Sequence, residues 1–175
     1  MIRKATHADL DGILDIYDAI FRREEGSDHP CTTWKRDIYP TSAMAEDAIQ
    51  AGTLYVDIQG GDVAAAIILD QQQPGEYAAI PWSVSAPAKE VLVPHTLAVH
   101  PVIARKGFGR KMIAFAEGMA AGLGCRVIRL DTYAGNRPAR AFYQKLGYRE
   151  AGEATMHGGG DTYVCLEKLA WKQKK

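Results

Sequence analysis

The chain has 175 residues, 47% of them hydrophobic and 24% charged, which suits one compact domain and excludes a disordered or fibrous protein. Lys plus Arg and Asp plus Glu are both 21, so net charge argues against a general nucleic-acid or membrane-surface binder. Cys31, Cys125 and Cys165 are scattered and odd in number, which predicts a reducing, cytoplasmic setting and no disulfide scaffold. No His/Cys pair has ligand spacing, so no metal site is expected. The longest aliphatic run, residues 63–69, falls well short of the ~20 residues that span a bilayer, and no secretory signal follows Met1.

The expected elements follow in chain order. Residues 2–5 read as a short strand, and Thr6 with Asp9 three residues on reads as a helix cap. Leu10, Ile13, Leu14, Tyr17, Ile20 and Phe21 then recur at helical spacing. An irregular connection over residues 26–40 carries His29, Pro30 and Trp34. A second helix over 42–51 stops at Gly52. Residues 53–59 and 63–69, joined at Gly60-Gly61, read as a hairpin. A long loop over 71–89 holds Tyr77, Pro81, Trp82 and Pro87. A strand (91–99), helix (107–123), strand (126–132) and helix (138–146) come next, and two strands flanking Gly158-Gly159-Gly160 close the chain. The class is mixed α/β on one sheet, in a single domain over 1–175.

Charge divides unevenly along this order. Residues 1–100 hold 7 basic and 15 acidic residues, a net of −8, and residues 101–175 hold 14 and 6, a net of +8. That suits a C-terminal half that handles an anion and an acidic half that receives a cation, although solvated helix faces explain the acids equally well. Lys168, Lys172, Lys174 and Lys175 read as a solvated tail.

The strand ending Leu97-Ala98-Val99-His100-Pro101 runs into Arg105-Lys106-Gly107-Phe108-Gly109-Arg110, which opens a helix. The first N–H groups of a helix lack internal partners and carry partial positive charge. Glycines there let a phosphate approach closely. Rival phosphate motifs are absent: a dinucleotide fingerprint would want Gly or Ala at Met112, and Gly-Lys-Ser/Thr never occurs.

With Asn136-Arg137-Pro138-Ala139-Arg140-Ala141-Phe142-Tyr143-Gln144-Lys145-Leu146-Gly147-Tyr148 downstream, the chain from Leu97 to Tyr148 resembles the GNAT superfamily of N-acetyltransferases. The order of elements before Gly109 matches as well. The resemblance implies a mixed, mostly antiparallel central sheet of about six or seven strands with about four helices on both faces, splayed at the acetyl-CoA strand. It implies acetyl-CoA as cofactor. Backbone donors among Arg105, Lys106, Gly107, Phe108, Gly109 and Arg110 would hold the pyrophosphate, and the strand edge at Leu97, Ala98 and Val99 the pantetheine arm. Asn136 and Arg140 carry over as further cofactor contacts. One departure is Ala104, where the family has Gln or Arg.

The implied reaction is direct acyl transfer from thioester to a primary amine, either a small molecule or a peptide N-terminus. A lysine-like amine has a pKa of ~10.4, so a base must take its proton. His95 and Glu90 are the candidates, with Asp131 ending the next strand and His100 ranked lower. On an unbulged strand His95 shares a face with Leu97. Tyr143 would protonate or orient the departing thiolate, or pack in the core beside Phe142 and Leu146. Asn136 reads equally as a helix N-cap. Trp34, Tyr77 and Trp82 would wall the acceptor pocket, with Glu24, Glu25, Asp28, Asp37 and Glu76 attracting a cationic amine. A non-catalytic acyl-CoA-sensing module is the alternative, and a homodimer stays open.

Overall fold

The computed structural model describes residues 1–156 and 158–170. Seven strands form one mixed sheet: β1 (Ile2–Lys4), β2 (Leu54–Gln59), β3 (Asp62–Asp70), β4 (Val91–Val99), β5 (Val127–Tyr133), β6 (Arg149–Thr155) and β7 (Thr162–Leu169). Their order is β1-β2-β3-β4-β5-β7-β6. Four α-helices accompany them: α1 (Leu10–Glu25), α2 (Ser42–Gln50), α3 (Phe108–Gly122) and α4 (Arg137–Lys145). The chain gathers into two compact units, neither of them one continuous stretch. The first holds Met1–His29, Trp34–Asp70 and Pro94–Ala116, and the second holds Pro30–Thr33, Gln71–Val93 and Glu117–Lys175.

In the first unit the helix cap forms as the Thr6/Asp9 spacing predicts. The Thr6 N–H and hydroxyl donate to Asp9 Oδ2 at 2.8 and 2.9 Å, and Arg3 adds a two-pronged contact at 2.7 and 2.8 Å. Ile13, Ile16, Tyr17, Ile20 and Phe21 of α1 are buried in a core with Leu54, Val56, Ala66 and Ala98. Ile16, absent from the expected stripe, is fully enclosed. Gly12 lets α1 approach β3 closely: a Cβ there would lie 2.7 Å from Val63 Cγ2, which would have to shift. The β2–β3 hairpin turns through Gly60 and Gly61, both at positive φ (61° and 102°), a backbone that matches the twist of the strands. Asp57 is fully buried and accepts from Lys111 Nζ, Gln59 Nε2 and the Met1 ammonium at 2.6–2.9 Å.

In the second unit β5, β7 and β6 are antiparallel, and the first residues of β4 pair parallel with β5 at Val91↔Val127 and Leu92↔Ile128. Tyr77, Ile80, Val91, Val93, Val127, Met156 and Cys165 form the core. The segment between β3 and β4 is anchored. Arg129 Nη1 donates to Gln73 Oε1 at 2.8 Å and Nη2 to the Val84 carbonyl, the guanidinium stacks 4.6 Å from the Trp82 ring, and Glu167 accepts from the Ser83 N–H at 2.8 Å. Short 3-10 turns at Gly75–Ala79 and Ala88–Glu90 shape it further.

Element boundaries otherwise agree with the sequence reading to within one or two residues. Lys168 differs. It lies on β7 and donates to Glu117 Oε1 at 2.8 Å and the Leu146 carbonyl at 2.7 Å, so it belongs to the sheet and not to a solvated tail. Lys172, Lys174 and Lys175 fall outside the described residues.

Candidate active site

The turn after β4 is built from local geometry in the first unit. A 3-10 turn over Pro101–Ile103 is capped by His100, whose Nδ1 accepts from the Val102 N–H at 3.3 Å. Ile103, Ala104 and Lys106 bond back to His100, Pro101 and Ile103 carbonyls. Arg105 then takes a left-handed φ of 67° and Gly107 a φ of 92°, and α3 begins. The first α-helical bond comes from Lys111 N to Gly107 O, so the N–H groups of Gly107, Phe108, Gly109 and Arg110 face outward from the helix start. Arg105, Lys106, Gly107 and Arg110 are exposed, and a Cβ at Gly107 would meet nothing within 4 Å. This open rim of donors, flanked by cations and with no acid in the first turn of α3, fits a pyrophosphate. The Ala104 N–H bonds to the Pro101 carbonyl and is not one of the open donors.

Along β4 the structure revises the assumption of an unbulged strand. Thr96 is left-handed (φ 50°), and its Oγ1 hydrogen-bonds the Tyr39 hydroxyl at 2.5 Å. Exposure still alternates: His95, Leu97 and Val99 are half-buried, and Thr96 and Ala98 are buried. His95 Nε2 lies 3.0 Å from Asp70 Oδ1 at the end of β3. Trp34 packs edge-on to Tyr17 (6.0 Å) and Tyr39 (5.9 Å) against the core. Of the expected acidic field, Glu24 engages Arg23 and Glu25 engages Arg36, so part of that charge is neutralised locally.

The second unit places Tyr143 on α4, buried, edge-on to Phe142 (5.1 Å) and Tyr148 (5.6 Å). Burial, helped by the Asp131 charge, pushes its phenol well above the ordinary tyrosine range, so it stays a proton donor at neutral pH. Asn136 is the N-cap of α4, its Oδ1 accepting from Ala139 N at 3.0 Å. Arg140 grips Glu150 through Nε and Nη2 at 2.9 and 3.0 Å. Glu90 sits in the 3-10 turn before β4, 3.5 Å from Arg126 Nη1.

Tyr77 corrects an expectation. It is 2% exposed, its hydroxyl donates to Asp131 Oδ2 at 2.8 Å, and Trp82 packs 5.1 Å away with its Nε1–H on the Tyr77 carbonyl. A ring so enclosed is core and presents no wall to an acceptor. Sequence reasoning missed Asp70, Tyr39 and Arg129, whose partners are distant in the chain.

The chain belongs to the acetyltransferase (GNAT) family, whose profile matches residues 11–148. It is similar to a GNAT-family acetyltransferase of Streptococcus agalactiae, at 26% identity and TM-score 0.80 over 99% of this chain and 96% of that one. The fold is shared with YncA of Salmonella typhimurium, solved with acetyl-CoA (17% identity, TM-score 0.70, 100% and 96% covered). A ribosomal-protein-alanine N-acetyltransferase of Brucella melitensis shares it too (20%, 0.66, 97% and 99% covered). Comparison with curated proteins found no match. The chain is thus an acetyltransferase domain of a family that uses acetyl-CoA. Among the described residues no helix is long and apolar enough to cross a membrane, and no three His, Cys, Asp or Glu residues are grouped to hold a metal.

Proposed function

We propose that this protein transfers the acetyl group of acetyl-CoA to a primary amine, on a small molecule or a peptide N-terminus, acting as one cytoplasmic domain over 1–175. The observation that carries the reading is the open helix start at Gly107–Arg110, where four backbone donors and flanking cations face outward and no acid stands in the first turn. Acetyl-CoA, when bound, supplies the acyl group as a thioester.

The chain's own residues then divide the work. The N–H groups of residues 107–110 hold the pyrophosphate, and Leu97 and Val99 offer the backbone edge that orients the pantetheine arm. A backbone N–H in the Leu97–Val99 stretch receives the negative charge that develops on the carbonyl oxygen. His95, half-buried and within reach of solvent, takes the amine proton; Glu90 is occupied by Arg126 and serves less well. Tyr143, a neutral phenol, hydrogen-bonds the departing sulfur and orients or protonates it. Asn136 and Arg140 support the reading through α4: one starts the helix, the other ties it to β6, and so both hold Tyr143 in place. Trp34 remains the aromatic residue offered to the acceptor.

The test is CoA release from acetyl-CoA across polyamines, amino acids, aminoglycosides and peptides with free N-termini or lysines, corrected for the three thiols. Turnover with one amine class supports the reading and names the acceptor. Tight acetyl-CoA binding with no turnover on any class would replace it with an acyl-CoA sensor.

A further inference from the structure

Asp70 has no part in the reaction outlined above, yet its place in the fold gives it one. It closes β3 directly after an aliphatic run, where a carboxylate contributes nothing to the core. Its Oδ1 stands 3.0 Å from His95 Nε2, with side-chain exposures of 19% and 26%. A carboxylate only accepts hydrogen bonds, so the ring nitrogen facing it carries the hydrogen and the other is bare. The next residue, Thr96, is held through its side chain by the Tyr39 hydroxyl. The imidazole is thus anchored at one ring nitrogen, while its 26% side-chain exposure leaves it open to an amine.

We infer that Asp70 is a positioning residue for acetyl transfer: it holds His95 in the Nε2–H form, with Nδ1 as proton acceptor, and balances the charge of the imidazolium that forms. This rests on His95 as the base. The ammonium acceptor passes one proton to Nδ1, and its freed lone pair forms the C–N bond. The C–S bond breaks with its electrons on sulfur. The second proton lost by nitrogen passes to water, the proton that Tyr143 gives to the thiolate is replaced from water, and His95 returns its own proton to water, so one proton is released net. Asp70 acts in the interval when the ring is charged, which is why its loss should affect turnover and leave binding alone.

The experiment compares Asp70→Ala, Asp70→Asn, His95→Gln and the Asp70→Ala/His95→Gln pair, using acetyl-CoA and the best amine of the panel. Asp70→Ala is expected to lower kcat on the order of tenfold to a hundredfold, with KM for acetyl-CoA within about twofold. The double variant should be no slower than His95→Gln alone. Formate should restore Asp70→Ala but not His95→Gln, and chloride at equal ionic strength should restore neither. Normal kcat in both Asp70 variants with a slow His95→Gln overturns the inference and leaves His95 as base. Normal kcat in His95→Gln overturns the base as well. Parallel losses of kcat, acetyl-CoA affinity and thermal stability in both Asp70 variants, with no formate rescue, overturn it in favour of a structural role.

Discussion

His95 with Asp70 in the first unit and Tyr77 with Asp131 in the second make the same kind of contact, a ring hydrogen-bonded to a carboxylate at 3.0 and 2.8 Å. Their surroundings are opposite. His95 is half-buried on a strand that opens toward solvent, whereas Tyr77 lies sealed in an apolar core under Trp82. Burial, then the Asp131 charge, drives the Tyr77 phenol far above its ordinary range, and its hydroxyl proton is committed to the Asp131 carboxylate. One pairing can exchange a proton and the other can only hold the fold. The wider contrast follows: the first unit keeps His95 and the helix start at open edges, and the second sets Tyr77 and Tyr143 among aromatic rings, Tyr143 being the one the proposed reaction draws on.

If that contrast is right, changes at the open edges should move binding or turnover, and cost stability only where a branched side chain is forced onto positive φ, as at Gly107. The largest effect is expected from Gly107→Val with Gly109→Val. Branched side chains would cover the donor rim, so acetyl-CoA affinity by calorimetry should fall on the order of a hundredfold or more. Retained affinity would detach the phosphate turn from function. Next, Tyr143→Phe should cut kcat at least about tenfold with acetyl-CoA affinity unchanged, because only the hydroxyl is lost. An unchanged kcat would return Tyr143 to the core and leave the second unit purely structural.

In the second unit Arg129→Ala should act on stability. It strips the Gln73, Val84 and Trp82 contacts and removes one of two cations beside the buried Glu167, Arg149 remaining. Losing two part-buried hydrogen bonds and a stacked guanidinium costs about 3 kcal/mol, roughly 6–12 °C in Tm for a chain of this size. A melting point within a degree or so of wild type would erase the distinction between the units.

The smallest effect concerns acid. Hydrogen bonds from Arg3, and then from Thr6, hold the Asp9 carboxyl down at about 2 against the opposing cost of burial. A depressed folded-state value adds stability above the ordinary carboxylate range, and that stability drains as pH falls toward 2. Asp9→Asn should therefore melt lower than wild type at neutral pH, with the gap closing in melts taken from pH 4 down to 2. A constant gap across that range would mean that the charge plays no part.

Much of this was legible in the residues because it depends on neighbours in sequence. Thr6 and Asp9 are three residues apart and made the expected cap. Gly60 and Gly61 supplied the positive φ values of the hairpin turn. Gly107 before α3 marked the open helix start, and the Asn136–Tyr148 segment marked α4. What stayed hidden depends on partners far along the chain. Thr96 leaves the extended region with its hydroxyl held by Tyr39, 57 residues away. Tyr77 looked like a wall residue because an aromatic ring in a long loop gives no sign of the Asp131 carboxylate waiting across 54 residues. Lys168 looked like part of a basic tail because the Glu117 that draws it into the sheet lies 51 residues earlier.

The amino-acid sequence by itself determined the order of elements, the glycine turn and the family, since backbone preferences, hydrophobic period and short motifs act over a few residues. Only the tertiary structure decided which polar groups face one another and how deeply each pair is buried. Those two facts decide whether a carboxylate next to a ring moves a proton or locks one in place, and a linear sequence specifies neither distance nor burial for residues that meet only when the chain folds.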